Sequence, residues 1–381
     1  MWKVYLDGKL FSSSDLPGLA IGSPTLNYEL NKSASFTFDV PANHPKIGDI
    51  YVKKSTIMVI RQVTWNNTVE PTKTIFLGFV RSVQKSFYGS LHVACSDKMA
   101  YLEDTIQRPA QYTGSSDTDW ETDLTAIVAS HNSQVGSEKQ FNNIYAWTDL
   151  GQYDFKTNYD TTMNVLVNTV GKYGGKTWYD PVNDTLAVGM KLDPTQPANG
   201  IVSLAPGMNI LDLTIDTEAL DLCTRLIPLG TKTGTQTVPG IDDRLTIASV
   251  NGGLDYVNSA LISTYGVITK TVVWDDMANA ANMKVRAQVY LNSLQYENMI
   301  YKITAAQIFE GVYRPNQFFI GNYYEVKSPM HNINIKLLLS KKTERLDDPT
   351  SDVMTFGYEE DAPLTQQTAN LNLSAAQSTI N

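Results

Sequence analysis

Over the first hundred residues, apolar and polar positions alternate in short runs. Trp2, Val4 and Leu6 take every second place in WKVYL, as do Phe36, Phe38 and Val40 in SFTFDV and Leu91, Val93 and Cys95 in LHVAC. A period of two sends successive side chains to opposite faces, so each run predicts a strand with one dry and one wet side. Pro17, Gly18, Pro41, Pro45, Gly48 and Gly89 punctuate the runs, and short strands at such spacing predict a barrel or sandwich. SDKMAYLED, with Met99 and Leu102 at helical spacing, predicts a short helix that closes this region.

From about Gln107 the period changes. In DTDWETDLTAIVASHN, Trp120, Leu124, Ile127 and Val128 fall at helical spacing, acidic residues crowd the first turn, and Asn132 is placed to end the helix. A second helix is expected from Asp160, with Met163, Leu166, Val167 and Val170 on one face and Gly174 at its stop. KTWYDPVNDTLAVGM then predicts a hairpin about a Pro-Val-Asn-Asp turn.

Alternation returns in LDLTIDTEALDLCTRLIPLG, where Leu211, Leu213 and Ile215 share a face, and the polar TKTGTQTVPG after it predicts a surface loop. LTIASVNGG reads as a strand and turn, and LDYVNSALISTYG as a short helix. DDMANAANMKVRAQVYLNSL reads as a longer helix, with Met277, Ala281, Val285 and Val289 recurring along it and Asp275 or Asp276 as its cap. Strands resume from Met299 to Tyr358. The pattern therefore predicts an α+β, mainly β chain. Two β-barrel-like domains lie at 1–105 and at 206–240 with 298–360, with smaller mixed domains at 106–205 and, inserted, at 241–297. Residues 361–381 read as a polar linker or tail.

Composition narrows the function. The chain has 381 residues, 42% hydrophobic and 18% charged, enough for several packed cores and too apolar for a disordered chain. Its net charge is -9, without a run of basic residues, which argues against tight nucleic-acid binding. An acidic surface can still line a path for DNA, since repulsion from the phosphates lets it slide. Cys95 and Cys223, far apart in sequence, are expected to be separate buried thiols of a protein folded in a reducing cytoplasm. The start MWKVYLDGKL lacks a secretory pattern, and no run is long enough to span a membrane, so no membrane anchor is expected.

A search for catalytic chemistry finds no recognisable constellation. His44, His92, His131 and His331 are scattered, without zinc spacing, and neither a nucleophile elbow nor a phosphate loop is present. Cys95 is three residues from His92, but on a strand that spacing sends the two side chains to opposite faces. The pairs Asp242 with Asp243, Asp347 with Asp348 and Glu359 with Glu360 read as solvated turn acids rather than glycosidase carboxylates set across a cleft. No catalytic, cofactor-binding or metal-binding residue is assigned, and no cofactor is expected. The 20 tyrosines and 6 tryptophans are the fuller signal. Trp178 with Tyr179, Phe318 with Phe319 and Tyr323 with Tyr324 are candidate interface anchors or sugar platforms, with alternation turning one of each pair inward.

The order of motifs resembles a known family. SFTFDVPANHP, IFLGFV, CSDKMAYLED, RLIPLGTKT, LTIASVNGGLDYV, STYGVITKTVVWDD and MTFGYEE follow one another over residues 1–360. This succession resembles the amino-terminal hub region of siphophage tail-tip proteins, the prophage endopeptidase tail or tail-associated lysin family, similar in fold to the baseplate hub of contractile-tailed phages. The resemblance implies two similar β-barrels and two mixed domains, in a homotrimer whose six barrels form a pseudo-sixfold ring. Such a ring meets the hexameric distal tail protein at the virion tail tip after assembly in the bacterial cytoplasm. It closes the tail tube and opens for DNA or the tape measure protein, without sequence-specific DNA binding. In longer relatives a peptidoglycan-cleaving module follows the hub. This sequence stops at Asn381, so the resemblance implies a hub that is not an enzyme, the alternatives being a lysin whose catalytic module is absent from this chain, or a carbohydrate-binding tail adhesin.

Overall fold

The computed structural model describes residues 1–62, 64–65, 68–69, 72–114, 116–146, 153–169, 171, 173, 175–190, 203–204, 210–218, 223–275, 277–293, 298–305, 308–309, 312–313, 318–328, 333–348 and 351–356. His331, Glu359, Glu360 and the tail expected at 361–381 lie outside them, as do Val170, Gly174 and Asp276.

The alternating runs of the first hundred residues are strands. Trp2–Leu6, Lys9–Ser13, Gly22–Glu29, Ser35–Val40, Thr56–Arg61, Lys73–Lys85 and Leu91–Asp97 pair antiparallel. Their inward positions, among them Val4, Phe36, Phe38, Val59, Val80 and Val93, are wholly or almost wholly buried in one cluster, which also takes in Leu346 from far along the chain.

That last contact reflects a continuous sheet. Strand Gly22–Glu29 pairs with Ile333–Arg345, placing Glu29 opposite Lys341 and Thr25 opposite Arg345. The path continues through Val353–Phe356 and Asn298–Ala305 to Ile210–Glu218. The two β regions are therefore hydrogen-bonded to each other. The chain between the paired strands Ile210–Glu218 and Asn298–Ala305 forms a small sheet, Arg225–Leu229 with Val257–Asn258 and Thr269–Val273, and the helix Ala280–Ser293.

The other mixed region begins with helix Asp117–Gln134, whose first turn is closed by a capping box. Ser116 Oγ accepts from Asp119 N, and Asp119 Oδ2 accepts from Ser116 N at 3.0 Å. Trp120, Leu124, Ile127 and Val128 are buried, as their spacing predicts. The expected hairpin forms from Lys176–Asp180 and Thr185–Met190, and Asn143–Ala146 adds to it in parallel. These residues and those of the later mixed region share one buried cluster, in which Trp120, Phe155 and Leu186 join Leu226, Trp274 and Met283.

Several elements differ from the sequence expectation. The helix expected from Asp160 starts at Thr162 but widens into a π turn over Val165–Thr169. LTIASVNGG holds no regular strand: Leu245 exchanges hydrogen bonds with Thr231 and Gly230, and the chain then curls through the 3-10 turn Ala248–Val250 to Gly252 and Gly253 at positive φ. In LDYVNSALISTYG only Ile262–Tyr265 is helical, because Val257 and Asn258 are committed to pairing with Leu226 and Arg225. The long helix is capped by Asn279, whose Oδ1 accepts from the backbone N of Ala281 and Asn282, not by Asp275. Its phase also shifts: Met283, Ala287 and Leu291 are the buried stripe, while Val285 is 56% exposed. Met277 is buried, but it precedes the helix and so does not mark the helix face.

Candidate interaction surfaces

Strand Lys73–Lys85 outlasts its neighbour Thr56–Arg61, whose pairing with it reaches only Phe79 opposite Thr56. Beyond Val80 it stays in the sheet beside Leu91–Asp97, with Val83 opposite Val93 and Lys85 opposite Leu91, while Leu91–Asp97 pairs on its other side with Ser35–Val40. The turn Ser86–Ser90 ends this pair at the sheet edge, with Ser86 N donating to Ser90 O at 2.8 Å and Gly89 at φ +85, a conformation that favours glycine. At the tip, Phe87 is 96% and Tyr88 86% exposed. Their rings meet edge to face at 5.3 Å between centroids. Exposed aromatic pairs of this kind are uncommon on a surface and characteristic of binding anchors.

A second feature is concave. A cleft of about 340 Å³ opens beside the start of the chain, lined by Trp2, Leu16, Pro17, Ile21, Leu346 and Asp347. Asp15 lies between lining residues and accepts from Ser13 Oγ, which holds its carboxyl below the usual range.

The seam between the two β regions is charged. Arg61 Nη1 and Nη2 lie 3.4 and 3.5 Å from the Glu344 carboxylate, and Lys342 Nζ lies 2.6 Å from Glu344 Oε1 and donates to Phe318 O at 2.7 Å. All three side chains are buried. Asp352 accepts from Arg345 N at 2.9 Å, and burial, reinforced by Glu344, pushes its carboxyl up to about 7. Buried charges persist where partners and hydrogen bonds offset their desolvation, as here. Asp97 is a parallel case: burial pushes it up to about 7, although it accepts from Ser33 Oγ at 2.6 Å and Met99 N at 3.1 Å.

The sequence candidates fall into place around these features. His92 is exposed and bonds Asp39 at 2.7 Å, while Cys95 faces the core with its thiol pushed far up by burial, so the two diverge. Cys95 and Cys223 are separate, free and buried. Asp242 bonds Lys232 and Gln236, Asp243 accepts from Thr235 and Thr237, and Asp347 pairs with Arg345. These acids do not face one another across a cleft. His44 stacks on Phe11, and His131 bonds Thr105. Among the described residues no group of three metal-ligating side chains is found, and no helix is long and apolar enough to cross a membrane.

Of the aromatic pairs, Tyr179, Tyr324 and Phe318 are buried, and Phe319 is partly exposed. Trp178, in the first mixed region, is covered in part from the second β region: a Cβ on Gly321, which sits at φ +82, would lie 2.8 Å from its ring. It therefore acts as a joint and not as a free platform. Phe87 and Tyr88 were not singled out in the sequence, though two aromatics inside a turn between alternating runs are a legible signal.

Among curated proteins none matches the chain. Residues 199–361 match the family model described as prophage endopeptidase tail. Solved structures similar to the chain include a tail protein from Neisseria meningitidis (TM-score 0.62, 15% identity, covering 94% of this chain and 97% of that one). A prophage tail protein from Shewanella oneidensis follows (0.60, 14%, covering 93% and 97%), and one from Listeria monocytogenes (0.58, 12%, covering 96% and 97%). The resemblance drawn from the sequence motifs is thus met by a match to the prophage endopeptidase tail family over residues 199–361, on a fold shared along nearly the whole chain with tail proteins, two of them from prophages.

Proposed function

We propose that the chain is a tail-tip hub of a phage, a homotrimer that closes the distal end of the tail tube, joins the hexameric distal tail protein and opens for DNA or the tape measure protein to pass. The observation that carries this reading is the likeness to tail proteins, which spans 93 to 96% of the chain. In this reading the β units are 1–105 and 206–240 with 298–360, and the mixed units are 106–205 and 241–297. The protein is made in the host cytoplasm and resides at the virion tail tip. It works by shape and symmetry rather than by catalysis. The net charge of -9 supports passage of DNA without adhesion.

Light scattering on the purified protein is expected to give three times the 42.3 kDa chain mass, and antibody labelling of virions is expected to mark the distal tail. A monomer at every concentration, or virions whose tail end lacks the protein, overturns the reading. Purified cell walls are expected to stay turbid in its presence; clearing would instead favour the lysin. Binding to wall polysaccharide would favour the adhesin.

A further inference from the structure

In the first mixed region a buried histidine sits at the end of a chain of hydrogen bonds whose donors are all fixed. His131, on helix Asp117–Gln134, is buried, as are Thr105, Gln107 and Thr162 around it. Its Nε2 lies 3.2 Å from Lys139 O; a carbonyl only accepts, so Nε2 carries the hydrogen and Nδ1 of the neutral ring is bare. Thr105 Oγ1, 2.7 Å from Nδ1, therefore donates to it. That leaves Thr162 to donate to Thr105 Oγ1 at 2.8 Å, while Gln107 Nε2 donates to Thr162 Oγ1 at 2.8 Å and to Ile127 O at 3.1 Å. The backbone closes the same clasp, with Thr162 N donating to Thr105 O at 3.0 Å.

A second proton on the ring reverses this chain. Nδ1 then donates to Thr105 Oγ1, Thr105 turns its hydroxyl hydrogen to Thr162 Oγ1, and Thr162 Oγ1 accepts from Thr105 and Gln107 together. The Thr162 hydroxyl hydrogen is left without an acceptor among the described residues, on a side chain with no exposed surface. The charged groups that act on the ring are Asp104 and Lys139, of opposite sign and paired with each other at 2.9 Å. Thr105–Gln107 and Thr162–Asn164 bring no charge, and Phe141 presents a ring 5.5 Å away between centroids. Burial, the largest influence, accordingly holds His131 below the ordinary histidine value of 6.5.

We propose that His131 is an acid-sensitive pin: a proton on its ring releases Thr162 from Thr105, so that the turn Thr162–Asn164 lifts from the clasp while the large sheet keeps its pairing. This goes beyond the tail-tip reading and holds for one chain or three. Opening returns the ring to its ordinary value, so once pH falls below 6.5 the open form binds more protons than the closed form. The clasp is therefore at full strength above that pH and weakens as pH drops towards the lowered value of the closed form, by up to about tenfold per pH unit for one proton.

Hydrogen exchange read by mass spectrometry on the full chain, corrected for the intrinsic effect of pH on exchange, tests this. Protection of the Thr162 amide is expected to fall by up to about tenfold per pH unit below 6.5, without a matching fall in the strands Ser35–Val40 and Leu91–Asp97. His131→Gln keeps an acceptor for Thr105 and a donor for Lys139 O but takes up no proton. In that variant the fall with pH is expected to vanish, whatever its protection at alkaline pH, a result that a merely structural role for the ring would not give. Exchange of the histidine C2 hydrogens in the wild-type chain follows the titration of His131 itself and does not depend on the variant folding. A ring that takes up its proton while Thr162 stays protected overturns the proposal. So does a fall in Thr162 protection that His131→Gln retains, or one shared equally by the strands.

Discussion

At Asp352 the chain keeps a carboxyl that is 1% exposed and pushed up to about 7, first by burial and then by Glu344. The ordinary value is 3.8, so between roughly pH 4 and pH 7 the folded protein holds a proton that the unfolded chain has released. The contribution of this group to stability therefore falls as pH rises through that window and is level above it. Asp352→Asn keeps an acceptor for Arg345 N and removes the charge. Relative to the parent it is expected to gain stability steadily between about pH 4 and pH 7, read from urea midpoints at several pH values. A difference independent of pH would contradict the assignment. Its neighbour Arg61 has the opposite character, since its charge is matched by Glu344. Arg61→Met preserves the apolar stem and removes two hydrogen bonds from Glu344, which keeps Lys342 at 2.6 Å, a change expected to cost about 1–3 kcal/mol in chemical denaturation.

Single elements carry separable tests. Ser116→Ala removes the acceptor of the capping box on helix Asp117–Gln134 and is expected to cost about 0.5–2 kcal/mol, seen as a lower denaturation midpoint. Gly321→Ala meets two obstacles, its φ of +82 and the Trp178 ring, and is expected to cost about 1–3 kcal/mol. Combining it with Trp178→Leu should relieve the steric part but not the backbone part, so the double mutant should be more stable than the sum of the singles. Elements whose period was strong were legible: Trp120, Leu124, Ile127 and Val128 marked a helix, and Phe36, Phe38 and Val40 a strand. Elements with short or mixed patterns were not. Val285 looked like part of a stripe because apolar residues recur every four places, yet the side that meets the core is fixed by tertiary packing of Met283, Ala287 and Leu291. Likewise, Asn279 caps the helix although two aspartates precede it, because the turn at Trp274–Met277 delays the helix start.

At the scale of the whole molecule, the sequence did not disclose the joint between the two β regions. Pairing of Gly22–Glu29 with Ile333–Arg345 joins segments some 300 residues apart, and nothing local announces a partner at that distance. The clue that was present is chemical. Arg61 takes the next buried place after Ile57 and Val59, and a charge on a dry face calls for an opposite charge from elsewhere, whereas Lys342 and Glu344 sit in the polar run KKTER and give no such signal. The same seam gives a prediction about autonomy. A fragment of residues 1–105 would keep its alternating strands but lose Leu346 from its core and Glu344 from Arg61, while the edge of Gly22–Glu29 that pairs with Ile333–Arg345 would be left open. Each loss acts in the same direction: a gap in packed apolar surface, a buried cation deprived of its carboxylate, and backbone donors and acceptors without a neighbouring strand. The fragment is therefore expected to aggregate or to melt well below the intact chain, whereas the two β regions of the intact chain should unfold in one transition. Differential scanning calorimetry of both proteins checks this. A soluble 1–105 fragment melting at the temperature of the whole protein would mean that the continuous sheet joins two regions that are stable independently, and that the buried Arg61–Glu344 pair contributes little to holding them together.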